Sequence, residues 1–547
     1  MSFILSPFST RHTLRIHPNT IPIISLCIYI LVAIITTIFT PINQDEGWYL
    51  YASKIVYEGK IPYRDFAYTQ TPLLPYVYGI LELISLGGVT SGRLLSIFLG
   101  LITILVASWI SNKLAKKTGI TVTITLIACN FFFIQNIIII KTYALSATLL
   151  TCAVAMIIMY DRVPRPLYKD SAILLMLLAC MTRLSLVPAF IILLIFFIYR
   201  DRSVTTIIAG IASILLIAMP FLLWADEASF NLIFIHMGGY ASSTGSPVQI
   251  LWHMFYRKMQ FLSYLSRDFG PLYLILCVSL SIIFTKRHQI RTINGTFLLI
   301  GAMWISSFLA DVLPSASQSG YQSIWYPVLA IGAAWSVQHA STLTDYGTRQ
   351  ALLVLLAVGL LLTSMHATPS LLAVAGGQPA LIRLRNVSEH LKQTNTPGHP
   401  ILTLDTVVAV DAAQPIVHGT EMSLFSFYGD LPTEKAIELH VVNMELIEKA
   451  ALNPQVHIVV MSDEAWGRLQ NRWVGVVQVG PASWSTGRFK QILEEHYVPT
   501  IIDTDFGMPG NTLTMWTRKQ RISIQDWPAA GGKLDRQTRR SHIADRQ

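Results

Sequence analysis

The chain has 547 residues, of which 52% are hydrophobic and 13% charged. A soluble globular domain carries about a quarter charged residues, so disorder, a coiled coil and an ordinary water-soluble enzyme are excluded. The formal charge is +9, and the segment 518–547 alone holds eight Lys or Arg against three Asp. That tail reads as a solvated, disordered end, with attraction to anionic lipid as the sharper alternative. No recognisable nucleic-acid motif accompanies the charge, so nucleic acid is not expected as a partner. The five cysteines all lie inside apolar runs and read as small buried residues, not as a disulfide framework.

Apolar runs lie at about 20–40, 72–88, 93–112, 119–140, 142–160, 171–182, 184–199, 203–224, 270–285, 294–312, 321–338 and 350–366. A bilayer core needs about 20 apolar residues per helical crossing, so the pattern predicts a polytopic membrane protein. Arg11 and Arg15 precede the first run, which reads as a retained helix with residues 1–19 in the cytoplasm. Four further basic clusters need a side: Lys113/Lys116/Lys117, Arg162/Arg165/Lys169, Arg200/Arg202 and Lys286/Arg287/Arg291. All four fall inside only if run 72–88, which contains Pro75 and Glu82, stays at the outer surface as an interfacial helix. The expected fold is therefore mostly α: about eleven spans over 20–366, with 171–182 and 184–199 as a hairpin. Outer loops occupy 41–92 and 225–269. A small extracytoplasmic α/β domain follows over 367–517. Arg93, Lys141 and Arg183 then sit at outer ends of spans, against the charge rule. Snorkelling explains each one alone; together they suggest an anionic ligand at the outer face.

The first outer loop opens with Asp45-Glu46. Trp48, Tyr51, Ala52, Ile55 and Val56 follow at helical spacing, and Gly59 and Pro62 close the element. The expectation is a flat amphipathic helix with its aromatic side on the membrane. An acidic pair at a helix start serves as a cap, and the same position favours a carboxylate acting as general base; the two roles are compatible. Lys60 and Arg64 are candidates to meet a phosphate, and Asp65 to bind hydroxyls, with a local Arg64–Asp65 surface pair as the plain alternative. Tyr68, Tyr76 and Tyr78 suggest an interfacial belt.

An acidic pair just after the first span, an amphipathic helix, Gly59-x-x-Pro62-Tyr63-Arg64-Asp65-Phe66 and then Pro72-Leu73-x-x-Tyr76 resemble the bacterial family 39 glycosyltransferases of the C-type superfamily. Protein O-mannosyltransferases and lipid A aminoarabinose transferases are relatives. The likeness is strongest over about 41–100 and weak in the C-terminal domain. It implies transfer of a sugar from a polyprenyl-phosphate donor to an acceptor hydroxyl of a lipid, glycan or protein at the outer face of a bacterial inner membrane, usually with inversion. Asp45 matches the catalytic base, Glu46 its companion, and Arg93 the basic residue that opens the next span. The resemblance implies no required metal in the nearest relatives, and the chain shows no dense ligand cluster; no cofactor is expected, and a divalent ion is left open. Fixed cations stabilise a departing phosphate without a metal, and Arg93, Arg183, Lys141, Lys60 and Arg64 are the available set.

The loop 225–269 contains His236 and an amphipathic stretch over 248–265, which suggests a second surface helix above the site. His236 is a substrate-contact candidate beside a structural reading, and Tyr321 is a weaker one. From about 383 the pattern alternates: strands at 399–404 and 456–461 and a helix within 433–451. No phosphate loop or nucleophile elbow occurs there, so this domain is expected to shape acceptor access. A transporter or flippase for a lipid-linked glycan is the rival class. Such proteins concentrate charge near the midplane, whereas the acids here stand in the outer loop. A glycan polymerase or ligase shares the donor side and layout.

Overall fold

The computed structural model describes residues 20–84, 87–235, 247–285, 295–314, 317–344, 378–470 and 485–519, together with positions 347, 354 and 358. Residues 1–19, His236, the Lys286/Arg287/Arg291 cluster, the run 350–366 apart from Val354 and Val358, and the tail beyond 519 lie outside them.

Seven helices among the described residues are long and apolar enough to cross a membrane, and the chain is a multi-pass membrane protein. The first, α1 (Thr20–Phe39), leads into α2 (Gln44–Tyr57). Run 72–88 forms α3 (Leu73–Tyr78) and α4 (Ile80–Leu83), too short to cross. Runs 93–112 and 119–140 become α5 (Val89–Ala128) and α6 (Phe131–Ile138). Non-helical dihedrals at Ala115 and Lys116 break α5. The chain doubles back there, so the Ser111 and Thr123 hydroxyls meet at 2.7 Å. Then come α7 (Thr142–Arg162), α8 (Pro166–Cys180), α9 (Val187–Asp201), α10 (Val204–Leu223) and the short α11 (Ala225–Ser229). The expected surface helix and the next span are one helix, α12 (Pro247–Thr285), which runs through Pro271 without a break. α13 (Gly295–Val312) and α14 (Tyr326–Leu343) complete the described bundle.

The three basic clusters among the described residues gather at one end of the bundle. The Arg162 guanidinium donates to the Lys113 carbonyl at 2.5 Å, Arg200 pairs with Asp161 at 3.2 Å and Lys169 with Asp201 at 3.2 Å. Arg93, Lys141 and Arg183 stand at the opposite end, as the sequence spacing requires.

The C-terminal domain holds α15 (Ala380–Thr394), α16 (Thr406–Asp411), α17 (Thr433–Glu438), α18 (Met444–Leu452), α19 (Asp463–Leu469) and α20 (Gly487–His496). They surround a mixed sheet of β1 (Leu402–Thr403), β2 (Ile458–Ser462), β3 (Tyr497–Asp503) and β4 (Leu513–Arg518), in the order β1-β2-β4-β3. β1 and β2 are parallel, and β3 and β4 form an antiparallel pair that the sequence reading missed. Arg518, expected to begin the tail, ends β4 and donates to the Ala451, Asn453 and Val456 carbonyls.

The domain rests on α2. Gln44 donates to Asp405 at 2.6 Å, and the Tyr51 hydroxyl accepts from the Ile416 amide at 3.2 Å. A Cβ on Gly47 would stand 2.3 Å from the Val407 nitrogen, so only glycine permits this approach. Asp411 also accepts from the Val89 amide at the start of α5, at 3.2 Å. The expectation of a helix lying flat on the membrane is thus corrected. Trp48, Tyr49, Leu50 and Tyr51 point to successive sides of α2, and all are buried, between the bundle and the domain. A helix apolar on several sides needs cover on several sides.

Candidate active site

The start of α2 is held by a capping box: Asn43 accepts from the Asp45 amide at 3.0 Å, and Glu46 accepts from the Asn43 amide at 3.0 Å. The two acids of the pair then part company. Glu46 is wholly buried and takes a two-pronged bond from Arg93, Nε to Oε1 at 2.8 Å and Nη2 to Oε2 at 2.6 Å. Arg93 Nη1 also donates to the Thr37 and Thr40 carbonyls, at 2.7 and 3.4 Å, and Nη2 to that of Pro41, at 3.3 Å. A guanidinium has five N–H groups, and all five are engaged. Glu46 Oε1 further accepts from the Ile140 amide at 3.3 Å. The end of α1 and the starts of α2 and α5 are thereby tied to the residue before Lys141.

Asp45 faces a cavity. Its Oδ2 meets Lys141 Nζ at 2.7 Å, and its Oδ1 accepts from the Trp48 indole at 3.2 Å. The Asp45 and Lys141 side chains are 27% and 15% exposed, against 0% for Glu46 and Arg93, so it is the Asp45 pair that a ligand reaches. Burial works against the Lys141 ammonium, but the adjacent Asp45 carboxylate, together with Tyr143 and Glu46, outweighs it and holds the pKa above a lysine's ordinary value.

Across this cavity Arg183 reaches in from the turn after α8. It lies 4.2 Å from the Tyr321 ring centroid and donates to Asp311 at 3.4 Å. Asp311, at the end of α13, also accepts from Gln322 at 3.1 Å. Thr69, Gln70, Tyr143 and Gln318 complete the polar wall. A second cavity, of about 410 Å³, lies between the start of α2 and the C-terminal domain. Asp45, Trp48, Lys141, Gln318 and Phe425 line both.

Asp45, Lys141, Arg183 and Tyr321 are therefore brought together. Glu46 and Arg93 line neither cavity; their charges are spent on each other and on backbone. Lys60, Arg64 and Asp65 do not line them either. Arg64 binds Asp65 at 2.8 Å, and Asp65 also accepts from the Ile61 amide at 2.7 Å. The Pro62–Phe66 stretch is a tight turn, with Tyr63 at φ 70°. Tyr63, Phe66 and Tyr68 are buried, and the Tyr63 hydroxyl donates to the Gln70 carbonyl at 2.5 Å. This motif sets Thr69 and Gln70 into the cavity wall. Tyr68 and Tyr78 are likewise buried and not a belt; Tyr78 bonds Ser96 at 2.8 Å. His236 lies outside the described residues, and its neighbour Ile235 lines the cavity. Sequence reading missed Asp311, an acid at the end of an apolar run; that position was the available signal. Among the described residues no group of three or more His, Cys, Asp or Glu is placed to hold a metal ion.

No protein-family model and no curated protein sequence matches the chain. Solved structures do. ArnT from Cupriavidus metallidurans bound to undecaprenyl phosphate is 13% identical with a TM-score of 0.59, over 91% of this chain and 98% of that one. The same protein in the apo state is 14% identical with a TM-score of 0.57, over 90% and 97%. The Archaeoglobus fulgidus oligosaccharyltransferase in complex with Zn and sulfate is 15% identical with a TM-score of 0.51, over 81% and 68%. Two differently named proteins, each matched over more than four fifths of this chain, thus share its fold: a helical membrane bundle with a small C-terminal mixed-sheet domain.

Proposed function

We propose that this protein is a C-type membrane glycosyltransferase that moves a sugar from a polyprenyl-phosphate donor to an acceptor hydroxyl at the outer membrane face. The observation that carries the reading is Asp45, paired with Lys141 on the wall shared by two cavities, with Arg183 across the first. ArnT, which shares the fold, was solved with undecaprenyl phosphate, the chemical class of the proposed donor carrier. The basic clusters at the far end of the bundle support an outward-facing site, and the motif likeness to family 39 supports the donor class.

In this reading the donor phosphate lies against Arg183 and Lys141. The acceptor hydroxyl attacks the anomeric carbon from the opposite side, which inverts it. The carbon–oxygen bond to phosphate breaks with its electron pair on the phosphate oxygen, where the two cations stabilise the charge. The hydroxyl proton passes to Asp45. Phosphate entry draws Lys141 from Asp45, which frees the carboxylate as the donor arrives. Glu46 and Arg93 act as positioning residues, because their bonds fix the helix start that carries Asp45.

Asp45→Asn keeps the shape and the helix start. It is expected to retain polyprenyl-phosphate binding and to lose about 10²–10⁴-fold in single-turnover transfer. Wild-type transfer by this variant would remove Asp45 as the base.

A further inference from the structure

Transfer needs a second substrate, and the cavity on the other side of Asp45 has a distinct lining. We propose that this cavity is the acceptor site and that the acceptor is a saccharide without phosphate groups; the inference rests on the glycosyltransferase reading above. Its volume, about 410 Å³, falls within the range of small-ligand sites. Membrane residues form one wall and C-terminal residues the other, so the site exists only where the domain docks on α2.

The lining mixes amide, carboxyl and aromatic groups. Gln44 and Glu464 supply polar groups, and Trp48, Phe425 and Phe506 supply aromatic surface. Sugar hydroxyls both donate and accept, which amide and carboxyl groups match, while the C–H faces of a sugar ring pack on the electron-rich faces of aromatic rings. Gln44 donates its amide to Asp405 at 2.6 Å, and its carbonyl oxygen is buried without a partner. Glu464 sits at the start of α19, and burial and the neighbouring Asp405 push its carboxyl up; in either protonation state it bonds a hydroxyl. Charge argues against an anionic acceptor. Lys141 is matched by Asp45, which leaves Glu464 without a second cation in the lining.

The wall is braced. Asn511 accepts from the Glu464 amide at 3.1 Å and donates to the Phe506 carbonyl at 2.7 Å. Gly507 has φ 72°, and a Cβ there would stand 3.0 Å from the Ile42 carbonyl. The loop 506–511 thus closes the cavity against the exit from α1. Met508, half exposed, stands at its rim.

The test uses the full chain in lipid nanodiscs on an array of neutral, amino-bearing and phosphorylated saccharides with serine and threonine peptides, and polyprenyl phosphate as a separate probe. The wild type is expected to bind neutral or amino saccharides. Glu464→Ala, which removes the hydrogen-bonding group, is expected to weaken that binding about tenfold or more, and Met508→Trp to block it sterically, with polyprenyl-phosphate affinity within about twofold in both. Two independent variants keep the result readable if one misfolds. Binding only to peptides or phosphorylated glycans, no saccharide binding, or saccharide binding unchanged in both variants overturns the proposal. Failure of the wild type to bind polyprenyl phosphate, with saccharide binding intact, instead strikes the donor reading.

Discussion

At the scale of single residues, two neighbouring acids have opposite surroundings. Asp45 meets solvent and a lysine; Glu46 is sealed with Arg93. Removing one member of a buried ion pair strands the other charge, at a cost of about 3–5 kcal/mol. Arg93→Ala is therefore expected to lower the stability of the purified protein by that order. Arg93→Met with Glu46→Leu should recover much of it, because the pair leaves together. Thermal unfolding in detergent checks both. A stable Arg93→Ala with weakened donor binding would return Arg93 to the phosphate site. The sequence showed both residues to be unusual in place. It did not show which faced a ligand, since Arg93 is satisfied by carbonyls more than fifty positions away.

Between elements, the contact of α2 with the C-terminal domain is the sensitive one. A methyl at Gly47 meets the Val407 backbone at 2.3 Å, where no side chain is free to yield. Overpacking of this kind costs about 1–3 kcal/mol, more than the helix propensity gained over glycine, about 1 kcal/mol. Gly47→Ala should lower the melting temperature and slow transfer together; a higher melting temperature would show that the domain does not dock here. Within the domain His418 bonds Glu421 at 2.8 Å, near enough to the first outer loop for the charges of Lys60 and Asp65 to act on it. That bond raises the His418 pKa, with Lys60 opposing and Asp65 assisting. A raised histidine contributes stability that is full below its ordinary value, about 6.5, and is lost as pH rises through the folded-state value. The melting-temperature gap between wild type and His418→Gln should thus be present at about pH 6 and shrink above neutrality. A gap independent of pH would leave the histidine a packing role only.

For the whole molecule, the two ends of the bundle differ in charge chemistry. Three basic clusters meet at one end, through Arg162, Arg200 and Lys169. The cavities and the C-terminal domain occupy the other. Cysteines introduced at Glu58, exposed in the first outer loop, and at Lys435, in a background lacking the native five, should react with an impermeant maleimide from outside intact cells. One at Lys117 should react only after permeabilisation. The reverse labelling would invert the topology and place the site in the cytoplasm.

The sequence by itself determined the class of the protein, because apolar runs of spanning length have few other solutions in water or lipid. It pointed to 72–88 as a run too broken to cross, through Pro75 and Glu82, and to Asp45 as the acid to examine, through its place after the first span. Parts of the C-terminal domain were legible in the same way, where buried strand residues cluster as at Ile458–Ser462. The tertiary structure alone decided the rest. Gln44 and Asp405 meet across 361 positions, and Arg183 and Asp311 across 128. Local periodicity records which face of a helix is apolar; it holds no record of what arrives to cover the other face. That is why α2 read as a helix lying on a membrane and proved to be one enclosed between two domains. A charge at a span end announces only that a partner is needed. Whether the partner is a carboxylate, a carbonyl or a ligand depends on chain segments that folding alone brings near.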